Sequence, residues 1–69
     1  MKKKIVINGE SRSINSSTLT QLLDEINIDF ENKKIAIAIN EEIVEKIKWN
    51  NKKIENGDIV EIVHALKGG

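Results

Sequence analysis

The residues best placed for chemistry stand at the end of the sequence, Lys67-Gly68-Gly69. A double glycine at a C-terminus is a thin peptide with a free carboxylate. Without a Cβ, glycine takes positive φ and lies close against another backbone. The segment Ala65 to Gly69 reaches roughly 17 Å when extended. That length lets the carboxylate enter a partner's active site while the folded body stays outside. Chain ends are also commonly disordered. On the dipeptide alone, a functional tail and a frayed end, tag scar or truncated loop are all open readings.

Competing chemistries find little support. The sequence has no cysteine, which excludes a thiol nucleophile, a protein-bound persulfide and a cysteine metal site on this chain, and is compatible with a reducing compartment. His64 is the single histidine, so neither a triad nor a histidine metal site can be assembled around it. It reads either as a half-exposed strand-end residue or as a contact in docking. Glu41 and Glu42 are neighbours in a turn and point apart. Asp24 and Glu25 fall on the solvated side of a helix. Asp58 follows Gly57 and bonds a nearby turn amide. Gly9 and Gly57 are isolated turn glycines, and no phosphate-binding loop is present. No catalytic constellation emerges, so the chain is not read as an enzyme.

Eleven acidic and eleven basic residues give a formal net charge of zero, so there is no basic field to hold nucleic acid. One phenylalanine and one tryptophan make no stacking platform. Met1-Lys2-Lys3-Lys4 resembles the start of a signal peptide, but the apolar run Ile5-Val6-Ile7 is too short to continue one. No stretch approaches a membrane span. The expectation is a single cytoplasmic domain, monomeric when free, that binds no metal, cofactor, nucleic acid or membrane.

The elements that must position the tail follow from periodicity. Lys3 to Asn8 reads as a strand, with Ile5 and Ile7 on one face and Val6 on the other. Asn8-Gly9 is a strong hairpin signal, since both central residues of a type I′ turn need positive φ. Glu10 to Ile14 returns as a polar edge strand. Thr18-x-x-Gln21 fits a capping box. Leu19, Leu22, Leu23 and Ile26 follow at i, i+3, i+4 and i+7, an apolar stripe that needs a sheet to lie on. Ile28 and Phe30 pack within the polar connection after the helix. Ile35, Ile37 and Ile39 alternate with Ala36 and Ala38 in the next strand. Asn40-Glu41-Glu42 turns the chain into a short return strand at Ile43-Val44. Glu45 to Trp49 forms a helical turn in which Ile47 and Trp49 cover one end of the sheet. After Asn50 to Ile54 and the turn Asn56-Gly57-Asp58, Ile59 to Val63 is the last strand. This order of hairpin, helix and further strands is α+β.

The last strand is apolar on both sides. Val60 and Ile62 share one face, and Ile59 and Val63 share the other, in phase with the outward Val6. Two readings stand: burial under the fold's own loops, or a surface kept for a partner. With His64, Leu66 and Lys67, the residues Val6, Ile59 and Val63 make up the candidate partner-binding set.

Taken together, Thr18-Leu19-Thr20-Gln21-Leu22-Leu23, Ile37-Ala38-Ile39-Asn40-Glu41-Glu42-Ile43-Val44, Trp49, Asn56-Gly57-Asp58-Ile59-Val60-Glu61-Ile62 and the final Gly68-Gly69 resemble the thiamine-biosynthesis sulfur carriers of the ThiS family. The likeness runs over essentially the whole chain. It implies a ubiquitin-like β-grasp domain over 1–64, with four to five strands wrapped on one helix and the first and last strands parallel at the centre, and a flexible tail over 65–69. It also implies a function. An adenylating enzyme of the ThiF type would use MgATP to convert the Gly69 carboxylate to an acyl-adenylate. A persulfide donor would leave a thiocarboxylate there, and a thiazole synthase of the ThiG type would accept the sulfur. Gly68 would let the tail pass a narrow channel. Two alternatives share the tail: the small subunit of molybdopterin synthase, with the same carrier chemistry, and a ubiquitin-like modifier or binding module. The chain departs from the family pattern in having Glu45 where many members carry proline, and Lys67 directly before the glycines.

Overall fold

The computed structural model describes residues 2–31 and 34–64. Five strands form one mixed sheet, and a single α-helix lies on it among the described residues. Strand β1 (Lys3–Ile7) buries Ile5 and Ile7 and turns half-buried Val6 to the other side. At the hairpin, Asn8 and Gly9 have φ of 49° and 86°, the left-handed pair a type I′ turn requires. Strand β2 (Glu10–Ile14) runs back in unbroken register from Ile7↔Glu10 to Lys3↔Ile14. Its polar residues are exposed and only Ile14 enters the core.

The helix α1 (Leu19–Glu25) starts where the capping box places it. The Thr18 hydroxyl accepts from the Gln21 N–H at 3.4 Å, while the Gln21 side chain accepts from the Ser17 and Thr18 N–H groups. These bonds satisfy donors that the first helical turn would otherwise leave open. Leu19, Leu22 and Leu23 are fully buried. The stripe outlasts the helix: Ile26 is the C-cap and packs on the core from there, and Asn27 follows at φ 62°. Seven residues leave little helix to stand alone, so it is tertiary packing that holds it.

Strand β3 (Ile35–Ile39) buries Ile37 and Ile39 and half-buries Ile35. Asn40 and Glu41, at φ 53° and 72°, return the chain to the two-residue strand β4 (Glu42–Ile43), whose register pairs Ile43 with Ala38. A 3-10 turn over Lys46–Lys48 follows. Trp49 is buried there, its indole N–H donating to the Val44 carbonyl at 2.8 Å and its ring meeting Phe30 edge-on at 6.1 Å. Ile47, expected to help cover the sheet, is 84% exposed. A three-residue turn places Ile47 and Trp49 on different sides, so only one can face inward. The crossing after it straps the helix entrance: Leu19 N–H donates to Lys52 C=O and Ile54 N–H to Ser17 C=O, each at 2.9 Å, and Ile54 joins the core.

Strand β5 (Ile59–His64) completes the sheet, whose order is β2-β1-β5-β3-β4. It lies parallel to β1 and antiparallel to β3. The first and last strands are therefore neighbours at the centre. The leucines of α1 pack over Ile5, Ile7, Ile37, Val60 and Ile62 in one buried cluster.

Candidate functional site

Everything at the candidate site depends on how β5 is held, because residues 65–69 continue from it. The strand is anchored as it begins. Asn56 Oδ1 accepts from Lys4 N–H and Gly57 N–H donates to Lys4 C=O, both at 2.7 Å, tying the turn to β1. The Asp58 carboxylate accepts from Glu55 N–H at 2.9 Å, as expected of a turn aspartate, and from the Asn40 side-chain amide at 3.1 Å. Asn40 in turn accepts from Ile59 N–H through its side chain and donates to Ile59 C=O through its backbone. From there β5 pairs with β3 along Val60↔Ile39 through His64↔Ile35.

This register decides which side each residue faces. Val60 and Ile62 are buried beneath the helix. Ile59 and Val63 point the other way and are 51% and 59% exposed. Of the two readings open in the sequence, burial under the fold's own loops is not what the described residues show, since both side chains stay more than half exposed on the face away from the helix. Val6 is the direct register partner of Ile59, so these two side chains stand together. Val63 lies opposite Ala36, and between them Glu61 lies opposite Ala38, which is itself paired with exposed Ile43. The outer face is thus an open band, apolar at Val6–Ile59, at Val63–Ala36 and at Ala38–Ile43, with one carboxylate in it. Ile43 was not legible as part of it. Its place depends on a two-residue turn at Asn40-Glu41, and glutamate rarely occupies a left-handed position.

His64 does not join this group. It follows Val60 and Ile62 in phase and pairs with Ile35, so it lies on the helix side, exposed beyond the helix's cover. Leu66, Lys67, Gly68 and Gly69 lie outside the described residues. No group of three or more histidine, cysteine, aspartate or glutamate residues that could hold a metal ion exists among the described residues, and none of the helices described is long and apolar enough to cross a membrane.

Glu25 is a carboxylate whose titration the fold alters. Expected to be merely solvated, it instead accepts hydrogen bonds from the Ser16 hydroxyl and from the Asn15 and Ser16 N–H groups. These bonds, the Ser16 hydroxyl foremost, hold its pKa below the usual glutamate value. The carboxylate braces the β2–α1 connection, far along the chain from β5, and is structural.

A five-stranded mixed sheet on one helix, with its terminal strands parallel at the centre, defines a ubiquitin-like β-grasp domain. A crystal structure of the thiamine biosynthesis protein ThiS from Geobacter metallireducens has this fold, with a TM-score of 0.82 at 20% identity, over 96% of this chain and 99% of that one. The ThiS family model matches residues 5–69, and the chain belongs to the ThiS family. Sulfur carrier protein ThiS of Thermus thermophilus is 32% identical over 63 residues, covering 91% of this chain and 95% of the relative. A thiazole synthase of Paramagnetospirillum magneticum is 40% identical over 67 residues; the chain aligns over 96% of its own length but spans only 20% of that protein.

Proposed function

We propose that this chain is a cytoplasmic sulfur carrier of thiamine biosynthesis, a protein co-substrate rather than an enzyme, that bears sulfur as a thiocarboxylate on Gly69. The observation that carries this reading is the match to the ThiS family over residues 5–69, which includes the double glycine. The named activity of the Thermus relative supports it. The thiazole synthase that aligns with this chain over part of its length supports thiazole synthase as the acceptor.

The chemistry asks little of the carrier's own side chains. A carboxylate is a poor electrophile until it gains a good leaving group. An adenylating partner of the ThiF type supplies one: a Gly69 carboxylate oxygen attacks the α-phosphorus of MgATP, and pyrophosphate leaves. The terminal sulfur of a donor persulfide then attacks the acyl carbon and expels AMP, forming an acyl disulfide. A second thiol of the donor system cleaves that S–S bond, becoming a mixed disulfide with the donor and leaving the thiocarboxylate. The missing cysteine is consistent with this division, since the sulfur rides on the C-terminus.

The body's task is recognition. Ordering a free tail costs roughly 1–2 kcal/mol per residue, so affinity must come from the folded surface. Val6, Ile59 and Val63, which share one face of the sheet from the start of β5 to its end, form the docking surface, with Leu66 and Lys67 extending contact toward the active site. His64, on the opposite side, is left to contact a partner that wraps the strand end.

The test is mass spectrometry of the C-terminal peptide after incubation with a ThiF-type enzyme, MgATP and a persulfide donor. Replacement of one oxygen by sulfur, confined to that peptide, is the expected result. An isopeptide adduct would assign a modifier function instead. An unchanged peptide with a partner that thiolates another carrier would sink the proposal.

A further inference from the structure

Strand β1 stops two residues short of what β5 needs. On its β1-facing edge, β5 is served by Val6 N–H donating to Asp58 C=O at 3.0 Å and Asn8 N–H donating to Val60 C=O at 2.9 Å. There the chain turns away at Asn8-Gly9 into β2, and no backbone remains to meet Ile62. The Asn8 side chain takes its place. Its Oδ1 accepts from Ile62 N–H at 2.8 Å, and its Nδ2 donates to Ile62 C=O at 3.1 Å. A carboxamide carries the same donor and acceptor as a peptide unit, so this pair acts as one further rung of the parallel ladder, built from a side chain. It is partly buried and bridges residues far apart in sequence.

Resting on the carrier function proposed above, we infer that Asn8 is a positioning residue for the C-terminal tail. The last stretch of β5 lies beside β3 on one edge, in the register Ile37↔Ile62 to Ile35↔His64, and is held by Asn8 on the other. Ile62 is two residues before the end of the strand, and residues 65–69 follow directly. Without the Asn8 rung, this stretch keeps only one hydrogen-bonded edge. The direction of the strand's end at His64, from which residues 65–69 continue in sequence, is less well defined. Asn8 touches no reacting atom and is none of the residues assigned to docking, so its loss should affect the rate of the bound complex more than its formation. The left-handed turn alone does not require this residue, because glycine adopts that conformation at no steric cost.

That freedom makes the test clean. Asn8→Gly keeps the turn and removes both bonds. Asn8→Asp keeps the acceptor for Ile62 N–H and loses the donor to Ile62 C=O. Amide hydrogen exchange of the free chain reads the rung directly. Exchange at Ile62 is expected to quicken by about tenfold in Asn8→Gly, as the loss of two modest hydrogen bonds implies, with Asn8→Asp in between. Adenylation by a ThiF-type enzyme, followed as ATP–pyrophosphate exchange with the full chain as substrate, is expected to show a severalfold lower kcat for Asn8→Gly at nearly unchanged KM, again with Asn8→Asp in between. Faster exchange at Ile62 with wild-type kcat would make the rung purely structural and overturn the inference, as would unchanged exchange. A wild-type chain that is never adenylated would overturn the functional reading and the positioning role with it. A wild-type chain adenylated normally beside an equally active Asn8→Gly would overturn the positioning role alone.

Discussion

Truncating the outer face of β5 gives the sharpest test of how a partner holds this domain. Full burial of an isoleucine or valine side chain contributes about 1.5–3 kcal/mol. Ile59 and Val63 are 51% and 59% exposed in the free domain, so about half of that, roughly 1 kcal/mol each, remains to be gained on docking. Ile59→Ala should therefore raise the Kd for thiazole synthase about fivefold, and Ile59→Ala with Val63→Ala about 30-fold, from roughly 2 kcal/mol in total. The free domain should lose a comparable amount, roughly 1 kcal/mol, since the other half of the side chain's burial is already realised in the fold. Ile47→Ala is the control. Ile47 is the more exposed residue at 84%, but it sits on the 3-10 turn rather than on the sheet, so its removal should leave Kd within twofold. Isothermal titration calorimetry reads the affinities and thermal melting reads the fold. A double variant that binds as wild type, or an Ile47→Ala variant that weakens binding as much, would refute the assignment of docking to the sheet face.

Three further outcomes follow from particular residues. Glu25 is more acidic in the folded chain because of its bonds to Ser16 and Asn15. Its stabilising share is present above the ordinary glutamate pKa and is lost as pH falls through the lowered folded value. Glu25→Gln should therefore flatten the decline in melting temperature below about pH 4.5, and an unchanged acid limb would show the brace to be idle. Glu41 holds φ 72°, which costs a non-glycine residue about 1–2 kcal/mol, partly offset by the greater freedom of unfolded glycine, about 0.4–1 kcal/mol. Glu41→Gly should raise the urea midpoint by about 0.5–1 kcal/mol equivalent at constant m-value; a lower midpoint would contradict the turn geometry. Adding one residue after Gly69 should abolish adenylation and leave the melting temperature unchanged, and normal adenylation of the extended chain would refute a reactive role for the end itself.

Much of the fold was written in local pattern. The Thr18–Gln21 capping box, the Asn8-Gly9 turn and the Leu19/Leu22/Leu23 stripe depend on residues a few positions apart, and each stands in the structure where local rules put it. Less legible was anything that depends on where a distant segment comes to rest. Ile54 looked like part of a polar crossing until the strap against Ser17 buried it. Glu25 looked solvated until the β2–α1 connection folded onto its carboxylate.

By itself, then, the sequence determined which residues alternate and which turns form, because those properties come from neighbours along the chain. Only the tertiary structure decided that Val6 meets Ile59 on an open face, that His64 lies on the other, and that Asn8 reaches Ile62. The physical reason is register. The pairing of β1 with β5 joins segments some fifty residues apart, and a strand's side chains change face with every single-residue shift. No local pattern sets that phase; the burial of Val60 and Ile62 under the helix does.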